Sequence, residues 1–219
     1  MRMRAAALLT AAPERVRAPL AAGLALLACG STAPANAVIT TVTDTGSTYA
    51  ISLQVGSSSA IDTVQFNVTG NNVGLTPAPV TGTPAIDISV VPTRPANSDS
   101  ATRPVTLQVD STAGLTCQSA SCGTTIIPFN KISWTVSNSS GGSAGDIQNG
   151  QFNGAANQQI ASFNANATYC SFPIIIFCLS WVYQSNTMNA TRLTFTYDND
   201  VIYPAGSYKG TVYFTASMQ

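Results

Sequence analysis

Alternation is the dominant pattern of this chain, and it is cleanest at the C-terminal end. From Tyr208 onward, Tyr208, Gly210, Val212, Phe214, Ala216 and Met218 fall on one face of an extended chain. Lys209, Thr211, Tyr213, Thr215 and Ser217 fall on the other. Strict two-residue periodicity of this kind marks a half-buried antiparallel strand. The same period recurs upstream. Tyr49, Ile51, Leu53 and Val55 alternate with polar or small residues, as do Val64, Phe66 and Val68. Ile86, Ile88 and Val90 form another set, followed by Val105, Leu107 and Val109, then Ile132, Trp134 and Val136. Leu193, Phe195 and Tyr197 close the series before the Asp198-Asn199-Asp200 turn. Residues 38–44 read as a further extended segment, and residues 150–157 as a Gln/Asn/Gly stretch anchored by Phe152. Pro- and Gly-rich connections separate these runs, and no stretch keeps a helical period over three turns. The pattern predicts about nine or ten short strands. That means an all-β, Ig-like antiparallel two-sheet β-sandwich.

The first 37 residues break the pattern. Arg2, Arg4, Arg15 and Arg17 precede an apolar run over residues 18–29 that is too short to span a bilayer. This is the layout of an export signal. Two processing routes fit it. Ala35-Asn36-Ala37 is a small-x-small site that would start the mature chain at Val38, and Leu26-Leu27-Ala28-Cys29 resembles a lipobox that would lipidate Cys29. On the first route the chain divides into an export signal at 1–37 and a single sandwich domain at 38–219, a length that supports one substantial core. Export puts the protein in the periplasm, on the outer surface or outside the cell, with membrane attachment only through a lipidated Cys29.

Composition narrows the function. Of nine basic and nine acidic residues, Arg2, Arg4, Arg15, Arg17 and Glu14 belong to the leader. The remaining five basic residues and eight aspartates give a net charge of about −3. So sparse a positive charge offers no footprint for nucleic acid. Histidine is absent throughout, which removes Ser-His-Asp and Cys-His chemistry. Past the leader the lysines are Lys131 and Lys209, and neither stands in an S-x-x-K frame. A non-enzymatic protein without a cofactor is the expectation. Four cysteines follow the leader, Cys117, Cys122, Cys170 and Cys178. In an exported chain they read as two disulfides with three connectivities, and local pairing is preferred because each pair brackets a short loop.

Three features have two readings each. Asp198 and Asp200, two apart, are candidates to bind Ca²⁺ with backbone carbonyls, or they simply form a hairpin turn between two core strands. Phe172, Ile174, Ile175, Ile176 and Phe177, inside the Cys170–Cys178 bracket, do not alternate. They make either a buried strand, the preferred reading, or an exposed hydrophobic contact loop. Trp134, Tyr169, Trp181 and Tyr183 could form a sugar platform, although Trp134 lies on an apolar strand face that suits a core tryptophan.

The closing stretch Ala205-Gly-Ser-Tyr-Lys-Gly-Thr-Val-Tyr-Phe-Thr-Ala resembles the last strand of spore-coat-U-like and archaic chaperone–usher pilin subunits. The similarity covers about fifteen residues. It implies a strand edge at Tyr208, Val212, Phe214 and Met218, where a periplasmic chaperone or another subunit would pair. It also implies a donor strand within residues 38–55. The early cysteine that joins the first two strands in those families has no counterpart here. The expected protein is therefore a structural or adhesive surface subunit of fimbrial or coat type. The alternatives are an Ig-like lipoprotein anchored through Cys29 that presents a binding loop, and a carbohydrate-binding module.

Overall fold

A computed structural model describes residues 2–13, 38–43, 50–56, 63–93, 103–137, 146–170, 173–174, 177–179 and 181–219. In chain order the strands are β1 (Arg2–Pro13), β2 (Val38–Thr43), β3 (Ala50–Val55), β4 (Thr63–Val68), β5 (Val80–Thr81) and β6 (Ile86–Thr93). They continue with β7 (Pro104–Asp110), β8 (Leu115–Cys117), β9 (Ile126–Ile127), β10 (Ile132–Ser137), β11 (Gly150–Gln151) and β12 (Gln158–Asn164). The last are β13 (Asn166–Cys170), β14 (Pro173–Ile174), β15 (Phe177–Cys178), β16 (Trp181–Ser185), β17 (Met188–Tyr197) and β18 (Tyr208–Met218). The strands exceed the nine or ten expected because short two- and three-residue pieces, which carry no readable period, join the long ones.

Two sheets face each other. The first runs β12-β7-β18-β1-β4, with β8 beside β18 and β9 beside β8. The second runs β11-β10-β17-β6-β3-β2, with β5 beside β17. The all-β sandwich is thus the architecture. Its core is built from the alternating residues. Ile51, Leu53 and Val55 of β3, Val64 and Phe66 of β4, and Ile86, Ile88 and Val90 of β6 are buried. So are Val105, Leu107 and Val109 of β7 and Leu193, Phe195 and Tyr197 of β17. Burial of side chains of this size is worth about 1.5–3 kcal/mol each, which is what holds two sheets together.

At one end of the core the aromatics gather. Phe152 stacks on Phe195 with ring centroids 5.8 Å apart, lies 5.0 Å from Trp134, and meets Phe129 edge-on at 5.8 Å. The Trp134 indole N–H donates to the carbonyl of Gln148 at 2.8 Å, so its polar atom is satisfied inside the core.

The segment expected to be a buried strand takes a different form. Among the described residues β13 and β16 pair only with each other, and β14 and β15 likewise, so these strands form a hairpin arm outside the two large sheets. The arm's base is tied to the first sheet, since Ala165 N–H donates to the Arg103 carbonyl and Asn186 N–H to the Ala165 carbonyl. Disulfides join Cys170 to Cys178 across the arm and Cys117 to Cys122 beside β18, the local pairing. Two such bonds call for an oxidising, extracytoplasmic environment.

Candidate functional site

β18 forms the centre of the first sheet. Its inward residues Tyr208, Val212, Phe214, Ala216 and Met218 are all buried, as the alternation requires. One backbone edge of the strand is shared: β8 pairs at Tyr208 and Lys209, and β7 from Tyr213 to Met218. Among the described residues the other edge is covered by β1, through ten consecutive antiparallel pairs from Arg2↔Ser217 to Ala11↔Tyr208. On its far side β1 runs parallel to β4, from Leu8↔Thr63 to Pro13↔Val68. Part of the stretch read as a leader therefore occupies a lane between two core strands. Cys29 and the Ala35-Asn36-Ala37 site lie outside the described residues.

The ends of the lane are defined by the chain itself. Beyond β4, Gln65 and Thr83 exchange backbone hydrogen bonds at 2.8 and 3.0 Å, which ties that strand to the second sheet. Near Val68 and Tyr208 the lane opens on a small apolar recess of about 60 Å³, lined by Val68, Val73, Ile127, Tyr197, Ile202 and Tyr208 among others. Asn199 holds one wall of it. This residue adopts φ +50°, and its side-chain amide donates to the carbonyls of Asn72 and Ala78 at 3.0 and 3.2 Å. The Tyr208 hydroxyl donates to the Pro204 carbonyl at 2.7 Å and braces the entry to β18. Burial raises the phenols of Tyr197 and Tyr208 above their ordinary range, so both stay neutral and the recess carries no charge from them.

The other candidates fare differently. Asp198 and Asp200 begin a crossover rather than a hairpin turn, because β17 belongs to the second sheet and β18 to the first. Their carboxylates also diverge. Asp200 accepts from the Lys131 ammonium at 2.7 Å, and Asp198 accepts from the Gln151 side-chain amide at 3.0 Å. That leaves neither aimed at a shared cation, and among the described residues no three His, Cys, Asp or Glu side chains gather as a metal site. Trp134 is 4% exposed and belongs to the core, so the four aromatics do not form one platform. Tyr169, Trp181 and Tyr183 belong to the arm instead.

Of the apolar contact loop, Phe172, Ile175 and Ile176 lie outside the described residues, while Ile174 falls on β14. Phe177 is 69% exposed and neighbouring Leu179 67%. The donor segment expected within residues 38–55 is already used by its own sheet, with β3 contributing three fully buried side chains and β2 pairing on β3.

The chain matches no protein-family model, and no curated protein matches it. No helix among the described residues is long and apolar enough to cross a membrane.

Proposed function

We propose that this chain is a non-enzymatic, exported surface protein: a structural or adhesive subunit of fimbrial or coat type that meets its partners by strand pairing. The observation that carries the reading is the coverage of β18. Its second edge has β1 as its partner, and β1 lies within the stretch read as a leader. Removal at Ala37 or at Cys29 would take Arg2–Pro13 away on either route. A row of unpaired backbone N–H and C=O groups would then face an empty lane on both β18 and β4. An extended strand from another chain fills such a lane through main-chain hydrogen bonds, with alternate side chains entering the core. A periplasmic chaperone or a neighbouring subunit is the partner of that kind.

The distribution of chemistry agrees. Histidine is missing, the charged side chains Lys131 and Asp200 engage each other, and the recess beside the lane is apolar. Nothing there offers a nucleophile with a base beside it.

Electron microscopy of cells with and without the protein tests the reading directly. Filaments or a surface coat that disappear with the protein are the expected result. A bare surface in both, with no second chain co-purifying, would overturn it. Mass spectrometry of the mature N-terminus separates a subunit starting at Val38 from an Ig-like lipoprotein acylated at Cys29.

A further inference from the structure

Two exposed apolar features lie at opposite ends of the sandwich. The first is the tip of the arm, where Phe177 and Leu179 stand exposed and the Cys170–Cys178 bond closes the loop. The second is the recess, whose walls include buried Tyr197 and Tyr208 and whose rim carries Ile202, 72% exposed, and Val73, 47% exposed. Strand directions separate the two. The arm is rooted beside Arg103, whose carbonyl takes the Ala165 N–H, and the next carbonyl, that of Pro104, takes the Gln219 N–H. The root therefore lies at the far end of β18, and the recess at its first residue, Tyr208. β17 gives the same answer, because Asn186 at the root precedes its start and Tyr197 in the recess is its last residue. The eleven residues of β18 put about 35 Å between root and recess.

Each feature leaves apolar surface in water that the other could cover. At about 60 Å³ the recess has room for the end of one apolar side chain, and is far too small for an ordinary small-molecule ligand. Its phenols are neutral, so a side chain entering it meets no charge from them. Within one copy the tip could reach the recess only if the arm folded back along the length of β18. A second copy brings tip and recess together with the arm as it stands. A projection and a recess at opposite ends of one molecule make a heterologous, head-to-tail contact.

We propose that the arm tip of one copy seats in the recess of the next, with Phe177 entering and Leu179 covering the rim at Val73 and Ile202. The contact is made by side chains, without backbone pairing. It goes beyond the strand-pairing reading and does not use the lane. In the full chain β1 lies beside β18 while the tip and the rim of the recess stay exposed. Contact between so few side chains is weak alone and gains strength where copies are already held close together.

Cell-free synthesis under oxidising conditions supplies the full chain, with a photo-crosslinking benzoylphenylalanine in place of Phe177. Irradiation at up to about 1 mM, where even millimolar contacts are populated, should give a ladder of crosslinked copies. Mass spectrometry should place the crosslinks in peptides carrying Val73 or Ile202. Ile202→Asp would set an unpaired carboxylate in the contact and should cut the crosslinked yield about tenfold. Lys209→Ala should leave the yield unchanged. Mixing resolves the geometry. A probe-bearing Ile202→Asp chain keeps its tip and loses its recess, whereas a Phe177→Ser/Leu179→Ser chain does the opposite. Together they should give crosslinked pairs and nothing longer. Both changes fall on exposed residues, so melting should match the intact chain. Should Ile202→Asp melt lower, Val73→Asp on the same rim takes its place.

Crosslinks confined to single chains, crosslinks mapping away from the recess, or no product between copies would each overturn the proposal. So would a yield that both rim variants leave untouched, or ladders longer than pairs in the mixture. The two readings fail separately. Recess crosslinks without surface filaments or a coat would sink the subunit role and leave the contact standing, while filaments with an unused recess would do the reverse.

Discussion

Lys131 donates a hydrogen bond to the Asp200 carboxylate at 2.7 Å, joining the start of β10 to the crossover between β17 and β18. That bond holds the Asp200 carboxyl below its ordinary range. Its neighbour Asp198 moves the opposite way: burial raises its carboxyl first, and the Asp200 charge adds to the rise. The two therefore contribute to stability with opposite signs. Asp200 stabilises the fold above the ordinary aspartate pKa, and that contribution is lost as pH falls through its lowered folded value. Charged Asp198 costs stability at neutral pH, and the cost disappears as pH falls through its raised value.

Asp198→Asn should thus raise the melting temperature at pH 7, while a side-chain carbonyl remains to accept from Gln151. The gain should be about 1 °C, because partly exposed charges are screened and worth only a few tenths of a kcal/mol. It should shrink towards zero once the solution is acid enough to protonate Asp198. Lys131→Met should lower the melting temperature at pH 7 and have no effect below the titration of Asp200. Thermal melts of the three proteins from pH 3 to 7 check both signs. A larger gain for Asp198→Asn in acid than at pH 7 would contradict them.

Phe152 is the second test. It stands in a segment of Gln, Asn and Gly, yet it touches aromatic residues of the 3₁₀ turn before β10 and of β10 and β17 in the second sheet. Phe152→Ala should cost about 3–5 kcal/mol, the usual range for emptying a buried phenylalanine site. Phe152→Leu should recover most of that loss. Urea unfolding curves give both values. A cost for Phe152→Ala near that of an exposed site would mean the cluster does not hold the sheets together.

What the sequence made legible follows from where one face is buried. Ile51/Leu53/Val55, Val105/Leu107/Val109 and the whole of β18 alternate because one side meets the core and the other meets water, and their strands were readable for that reason. Three features were not. Residues 2–13 are mostly alanine and leucine at odd and even positions alike, so no period-two contrast exists, and their propensity favours helix. What selects an extended conformation there is the lane between β18 and β4, a tertiary cause that a local pattern does not carry. The arm over β13–β16 reads as core because it is apolar, whereas its strands pair away from both sheets. Asp198-Asn199-Asp200 suits any turn, and only the assignment of β17 and β18 to different sheets distinguishes a crossover from a hairpin.

The two disulfides should differ in their weight. Cys170–Cys178 closes an arm that pairs with neither large sheet, so the Cys170→Ala/Cys178→Ala double variant should leave the main unfolding transition nearly unchanged and speed proteolysis of the arm. Cys117–Cys122 sits against the start of β18, where the Gln118 N–H donates to the Ser207 carbonyl and the Ser207 N–H to the Ser119 hydroxyl. A Cβ on Gly206 would already collide with Cys122, which shows how closely that loop packs. Cys117→Ala/Cys122→Ala should therefore lower the global stability, by about 2–4 kcal/mol in line with other native bridges. Denaturation curves with limited proteolysis on the same samples separate the two. Equal losses for both would argue that the arm folds as part of the sandwich.

The strongest dependence should fall on the last strand. β18 pairs with β7 and β8 on one edge and with β1 on the other, and it sends five buried side chains into the core. Removing residues 206–219 takes out the middle of the first sheet rather than a fraying end. The row that β7 presents to β18 would then be free to pair with other chains, the condition that drives aggregation. The truncated chain should be lost from the soluble exported fraction, with at least a tenfold fall in yield by quantitative immunoblot. Lys209→Ala changes a single outward residue of the same strand and should export normally. If the truncation is exported and melts like the intact protein, β18 does not organise the sheet, and the lane beside it loses its meaning as a site.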